Sequence, residues 1–350
     1  MKPWLTGASA LPLLLLMGCG SGSQVVSNQA NKSGSLLING AGATFPYPIY
    51  SKWFNEYHKL HPNLKINYQS IGSGGGIRQL LAGTVDFGAS DMPMTDQMLA
   101  QTNKKILHFP TVLGADVPTY NLPGLKAQLH FTPQTLAELF LGNIKNWNDP
   151  RLAPANPGVN LPKHEIVIVH RSDGSGTTFV WTDYLSKISP DWKSKVGAST
   201  SVNWPTGLGA KGNEGVSGLV QQTPYSLGYV ELSYALQNKL PYGIVRNASG
   251  NFVKPDLSSV TAAAAGAAAN MPADFRVSIT NAPGANSYPI SSFTWMLIPA
   301  RLPDAAKRDA IEGFLHWMLT DGQTMVESLD YAPLPPQVQS KELGQISEIH

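Results

Sequence analysis

The sequence predicts an α/β protein of two lobes, on three observations. The chain has 350 residues, more than one hydrophobic core usually serves, and its 42% hydrophobic content is enough to fill two. Stretches with the branched or alternating character of strands repeatedly run into glycine-rich turns. Apolar residues at helical spacing follow each of those turns.

The clearest junction is Arg171-Ser172-Asp173-Gly174-Ser175-Gly176-Thr177-Thr178. Upstream, Ile166-Val167-Ile168-Val169 has the composition of a buried strand; downstream, Phe179, Val180, Tyr184 and Leu185 recur at helical spacing. The turn is therefore a helix N-terminus. Two glycines let the backbone approach a ligand, Ser175 and Thr177 add hydroxyls, and the first amides of a helix have no intrahelical acceptor. Arg171 sets a planar cationic fork beside them. The pattern is that of an anion cradle, with an ordinary capped turn as the competing reading for the loop taken alone.

Lys+Arg 25 against Asp+Glu 23 leaves a formal net charge of +2, too balanced for a nucleic-acid binder that neutralises phosphates over a broad surface. Anion binding must then be local. Residues 1–19 read as a signal peptide: Lys2 precedes an apolar run over 11–17 that Pro12 interrupts and that is too short to span a bilayer. Cys19 is the only cysteine, so no intrachain disulfide is possible, and Leu16-Met17-Gly18-Cys19 resembles the lipobox of bacterial lipoproteins. Cys19 is the expected lipidation site, in the cell envelope. Met17 departs from the favoured residue there, and a secreted protein cut nearby is the alternative. Residues 20–35, rich in Gly, Ser, Asn and Gln, suit a flexible tether.

The folded body is expected from Leu36-Leu37-Ile38, a strand leading into Gly40-Ala41-Gly42-Ala43-Thr44-Phe45-Pro46, a second candidate cradle. Ile49, Trp53, Tyr57 and Leu60 then share a helical face, with Pro46 and Pro48 in the opening turn and Pro62 beyond the end. His58 and His61 lie three apart there, without a metal partner at motif spacing, and read as surface residues. The strand Leu64-Lys65-Ile66-Asn67-Tyr68 ends in the glycine loop Gly72-Ser73-Gly74-Gly75-Gly76, followed by Ile77, Leu80 and Leu81 at helical spacing. That loop is neither a P-loop nor a dinucleotide fingerprint, which disfavours nucleotides. Val85-Asp86-Phe87-Gly88-Ala89-Ser90-Asp91 is a strand ending in a carboxylate ahead of a helix opened by Thr95; taken by itself, Asp91 reads as that helix's cap.

Farther on, Thr132-Pro133 opens a helix with Leu136 and Leu139 that stops near Gly142, and the crossover into the second lobe is expected near Pro110. A helix over 216–222 and a strand over 227–232 follow the loop of residues 209–215. The alanine run over 262–269 reads as a surface helix, since alanine favours helix but offers little to bury. Residues 292–298 form a strand and 305–319 a helix with Ile311, Phe314, Leu315 and Met318 inward, returning to the first lobe. The division is then 36–109 with 284–350 for one lobe and 110–283 for the other.

Four segments, in order, carry a family resemblance: Gly40 to Pro46, Gly83-Thr84-Val85-Asp86-Phe87-Gly88-Ala89-Ser90-Asp91, Arg171 to Thr177, and Gly207-Leu208-Gly209-Ala210-Lys211-Gly212-Asn213-Glu214-Gly215. The chain resembles, over nearly all of residues 36–335, the phosphate-binding proteins of bacterial Pst-type ABC phosphate transporters. The resemblance implies a type II periplasmic binding protein fold, with a hinge and a cleft between lobes that traps inorganic phosphate. It implies Thr44, Phe45, Ser73, Asp91, Arg171, Ser175, Gly176 and Thr177 as ligands, with Asp173 steering Arg171. Permease and ATPase subunits are the implied partners of a monomer, with no cofactor or metal. Gly74 stands where relatives often carry a second serine, which removes a supporting hydroxyl.

Residue chemistry agrees with phosphate. Three helix N-termini give donors without many lysines. Asp91 suits an anion that still carries a proton, because a carboxylate accepts it; sulfate carries none, and a site left with an unpaired acceptor rejects such an analogue by roughly 10⁴ to 10⁵. A secreted phosphatase or serine hydrolase is disfavoured. Neither Ser73 nor Ser175 sits in Gly-x-Ser-x-Gly, the flanks being Ile71 and Gly75 for one and Asp173 and Thr177 for the other. No two-metal cluster is visible. A receptor for another tetrahedral oxyanion is the better alternative, and an added adhesive or signalling duty stays open.

Overall fold

The computed structural model describes residues 35–350; the leader, Cys19 and nearly all of the tether lie outside the described residues. The chain opens with β1 (Leu36–Gly42), α1 (Tyr47–Leu60), β2 (Leu64–Ser70), α2 (Ser73–Ala82) and β3 (Phe87–Ser90), with β1 parallel to both β2 and β3. Helices that cross over between parallel strands leave their N-termini at the strands' carboxyl ends, where α/β sheets take ligands. Ile49, Trp53 and Tyr57 are buried as the helical spacing predicts, but Leu60, in the last turn, is 62% exposed. The glycines after Gly72 form the first turns of α2 rather than a loop before it.

After α3 (Asp96–Leu99) comes β4 (Ile106–Tyr120), fifteen residues and buried throughout. The second half of the chain adds β5 (His130–Phe131), α4 (Pro133–Phe140), β6 (Val167–Arg171), α5 (Gly176–Ile188), α6 (Pro190–Lys195), β7 (Leu208–Ala210), α7 (Gly212–Gln222), β8 (Ser226–Glu231) and α8 (Leu232–Gln237). A small sheet joins β9 (Ile244–Arg246) to β10 (Phe252–Val253) and β5. The chain closes with α9 (Leu257–Ala269), β11 (Ser291–Pro299), α10 (Ala305–Leu319) and α11 (Pro336–Gln345). The Thr132 cap of α4, the inward face of α10 and the αL glycine at Gly142 match the sequence reading. The alanine helix α9 does not lie merely on the surface: Val260, Ala263, Ala264 and Ala268 are buried, because small side chains let a helix approach a sheet closely.

The main sheet runs β2-β1-β3-β11-β4-β8-β6-β7. Its pivot is β4, which pairs with β11 from Ile106 to Ala115 and with β8 from Asp116 to Tyr120. The change of partner therefore falls at Ala115/Asp116, beyond Pro110. Pro110 lies opposite Trp295 at a register shift between Thr294 and Trp295. A bulge suits a residue that has no N–H to give the ladder, and bulges re-aim neighbouring side chains. Here the neighbour is Thr294.

Asp116 is fully buried at the partner change and neither carboxylate oxygen has a hydrogen-bond partner. Burial, with Asp91 and Glu231 nearby, pushes its pKa well above the usual carboxylate range, against the pull of Arg171. A raised folded-state pKa means stability that is present at low pH and lost as pH climbs from the unfolded pKa toward the folded one. Asp116→Asn removes this titration, so it should raise the thermal midpoint at pH ~8 while changing it little at pH ~3.5; calorimetric melts at both values measure the difference.

Candidate anion-binding site

Three helices of eight residues or more open at one place. Thr44 and Phe45 precede α1, Ser73 is the first residue of α2, and Gly176 is the first of α5, which Ser175 caps by accepting from the Thr178 amide at 3.0 Å. The amides of Gly176 and Thr177 belong to that first turn, whose N–H groups have no intrahelical acceptor. Gly72, with φ of 86°, is required twice over: a Cβ there would also lie 2.3 Å from Asp173 Oδ2.

The openings of α2 and α5 are in direct contact. Gly74 N–H donates to Gly174 O at 2.8 Å, and a Cβ on Gly176 would fall 2.3 Å from Ser73 Oγ and 2.4 Å from Asp91 Oδ2. Glycine at 176 is thus what lets the α5 N-terminus sit on Ser73 and Asp91. At Gly74 a Cβ would come to 3.1 Å from Gly174 Cα, so a serine there would have to push the facing backbone slightly away. Phe45 contributes no polar side chain; its ring is core against Gly114, and its carbonyl accepts from Tyr331 OH at 2.6 Å. Only its amide is left to face an anion.

Arg171 is buried and held by both oxygens of Asp173, at 2.8 Å from Nε and 2.6 Å from Nη2. Burial pushes Asp173 upward, but the Arg171 hydrogen bonds and charge, with the Gly212 amide at 3.0 Å, hold it below the usual range. The third nitrogen, Nη1, reaches Thr177 Oγ1 at 3.3 Å. Asp91 is also fully buried, and burial lifts its pKa to about 7 against hydrogen bonds from Thr294 and Ser73 and the charge of Arg171.

One expectation is corrected: Asp91 does not cap the helix that follows it. Thr95 does, its hydroxyl accepting from the Met98 amide at 3.2 Å, while Asp91 turns inward to Thr294 Oγ1 and accepts weakly from Ser73 Oγ at 3.5 Å. Every other residue expected to contact the ligand lies at the junction of these helices. Two residues escaped the sequence reading. Asn213, the second residue of α7, lies within a segment that carried the resemblance, and its amide donates to Thr44 Oγ1 at 2.8 Å and Thr177 Oγ1 at 3.1 Å. Thr294, within a strand of apolar character, bears no signal at all; it meets Asp91 beside the register shift at which Thr111 of β4 is the extra residue.

A family model described as a PBP superfamily domain matches residues 23–322. The phosphate-binding protein PstS of Pasteurella multocida is 49% identical over 307 residues, covering 87% of this chain and 88% of that protein. This chain belongs to the PstS phosphate-binding protein family. The PstS of Xylella fastidiosa is 48% identical over 310 residues, covering 88% of this chain and 84% of its own length. A solved phosphate-binding protein from Stenotrophomonas maltophilia shares the fold at a TM-score of 0.69 and 19% identity, over 88% of this chain and 93% of that one. The fold is the type II periplasmic binding protein fold, and no helix among the described residues is long and apolar enough to cross a membrane.

In this PstS family member the Asp91 carboxylate accepts a hydrogen bond from Thr294, about two hundred positions away, which favours its charged form. Thr294→Val removes a hydrogen bond to the carboxylate, a kind worth about 1.5–3 kcal/mol. The Asp91 titration should move up by about one to two pH units, read from carboxyl carbon shifts against pH; an unmoved titration means that Thr294 does not hold the charged form.

Proposed function

We propose that this chain binds inorganic phosphate in the cell envelope and delivers it to the permease and ATPase of a membrane ABC importer. Membership of the PstS family supports the substrate, and one observation carries it: the Asp91 carboxylate lies buried beside the opening of α5, whereas the neighbouring Asp173 is taken up by Arg171 and the Gly212 amide. Phosphate near neutral pH is an anion with one proton left to give. Arg171, the first-turn amides and the hydroxyls of Thr44, Ser73, Ser175 and Thr177 serve its bare oxygens, and Asp91 accepts a hydrogen bond from its remaining O–H. Charge-assisted hydrogen bonds contribute roughly 1.5–3 kcal/mol each, so a handful exceeds the ~8 kcal/mol of micromolar affinity and leaves a margin for ordering costs.

A hinged closure between lobes fits the way β4 pairs first with β11 and then with β8, so that one strand serves both halves of the sheet. The donors divide the same way, Thr44 to Asp91 in one half and Arg171 to Thr177 in the other. A binding role rather than an enzymatic one fits the two serines: Ser175 accepts from the Thr178 amide, and Ser73 accepts from the Asp91 amide and lies 3.5 Å from the Asp91 carboxylate, longer than the reach of a general base. A lipid on Cys19 would tether a monomer to the membrane.

Calorimetric titration of the protein tests the reading: phosphate and arsenate, both protonated near neutrality, should bind, and sulfate should bind weaker by roughly 10⁴. Equal affinity for sulfate would overturn it. Asp91→Asn should raise sulfate affinity relative to phosphate, since an amide can donate to a bare oxygen and carries no charge. Arg171→Ala should weaken both anions at least about tenfold, because the fork does not distinguish them. Cys19→Ser should release the protein from membranes into the soluble fraction; a wild type already soluble and lacking Cys19 would refute the anchor.

A further inference from the structure

We propose that Asn213 sets the polarity of two hydroxyls, Thr44 and Thr177, so that each can only donate into the anion site, and that this selects the singly protonated form of phosphate. The inference rests on the phosphate reading above.

Asn213 is completely buried at the start of α7, where Asp173 holds the preceding Gly212 amide. The orientation of its own amide is settled by a fixed donor, because its Oδ1 accepts from the backbone N–H of Glu231 at 3.1 Å. Nδ2 must therefore face the two threonines, and its two hydrogens are divided between them, at 2.8 Å from Thr44 Oγ1 and 3.1 Å from Thr177 Oγ1. Each threonine oxygen accepts a second hydrogen bond: Thr44 from the Asn213 backbone N–H at 3.3 Å, Thr177 from Arg171 Nη1 at 3.3 Å. A hydroxyl has two lone pairs and one hydrogen. With both lone pairs occupied, the only capacity left to either threonine is its O–H.

This matters because a hydroxyl is normally ambivalent and will turn to accept from whatever approaches. Locked as donors, Thr44 and Thr177 offer a second proton nothing to donate to. Beside Asp91, the only accepting capacity among the hydroxyls placed in the site is the one spare lone pair each of Ser73 and Ser175, whose oxygens take the Asp91 and Thr178 amides. An anion with one proton satisfies that set; a second proton at either threonine would point at a donor. The charged and titratable groups around the junction are Arg171 and Asp173 at the end of β6, Asp91 after β3, Asp116 on β4, Glu214 on α7 and Glu231 on β8. All are common to the wild type and to variants at position 213, and Asp91, lifted to about 7, changes charge within the pH range used below, so the difference between the two proteins' pH profiles is the readout rather than either profile alone.

A clip that merely holds Thr44 to Thr177 would also weaken binding when removed, so the pH profile is the deciding readout. The full chain, as wild type, Asn213→Leu and the smaller Asn213→Ala, is titrated with inorganic phosphate at pH ~8 and pH ~5.5, after thermal melts confirm that each is folded. Wild-type affinity should fall toward pH ~5.5, where phosphate gains its second proton. The variants should bind about tenfold weaker at pH ~8, the scale of one neutral hydrogen bond, and should lose clearly less on acidification because the freed hydroxyls can now accept. Loss by the same factor at both pH values, in whichever variant folds, would make Asn213 a clip and overturn the inference alone. A wild type that binds no phosphate would overturn the functional reading, and this inference with it.

Discussion

The buried pair of Arg171 and Asp173 is the interaction on which the site depends. A guanidinium out of water is tolerable only with its charge matched and its hydrogens placed, and the pair does both through two parallel hydrogen bonds. The same carboxylate also takes the Gly212 amide and thereby fixes the start of α7. From there Asn213 reaches Thr44, next to α1, and Thr177, in α5. One ion pair thus fixes the relation between three chain segments that are distant in sequence, around Thr44, Arg171 to Thr177, and Gly212 to Asn213. Its net charge is close to zero, so an arriving anion meets an arginine whose position is already set but whose field is largely spent. Much of the attraction must then come from amides and hydroxyls, in keeping with a chain whose overall charge is nearly balanced.

The opposite wall shows what such a site costs the fold. Asp91, Asp116 and Glu231 are all buried, and burial raises the pKa of each, to about 7 for Asp91 and about 8 for Glu231. Glu231 is satisfied on one oxygen by Ser233 and Tyr331, whereas Asp116 has no partner on either. Burial disfavours the charged form of each carboxyl, which works against a build-up of negative charge in this part of the fold. The β4–β11 register shift lies at the same place: Pro110 pairs beside it, Thr111 is the extra residue, and Thr294, next to it on β11, donates to Asp91.

Much of the fold was legible because its signals are local. A branched run, a small-residue turn and apolar residues at helical spacing located the strand–turn–helix junctions at Thr44, Ser73 and Ser175, and the caps at Thr132 and Ser175 follow from what those side chains can accept. The misreadings have physical reasons too. The crossover was expected near Pro110, and the strand that holds Pro110, β4, is the one that changes partner, five residues farther on at Ala115/Asp116. The alanine run looked superficial because alanine buries little area, yet small size is what lets α9 pack against the sheet.

By itself the sequence determined the class of chemistry: helix N-termini rich in small residues, one arginine and one carboxylate, in a chain without excess charge. Hydrogen-bonding capacity is a property of residue type and backbone conformation, so it can be read along the chain. Tertiary structure alone decided how that capacity is directed. Whether Asp91 caps the next helix or faces inward, which side of Asn213 meets the threonines, and what holds the Asp91 carboxyl are all set by Thr95, Glu231 and Thr294, residues whose own types permit many roles. Direction comes from packing between segments up to two hundred residues apart, and no local pattern records it.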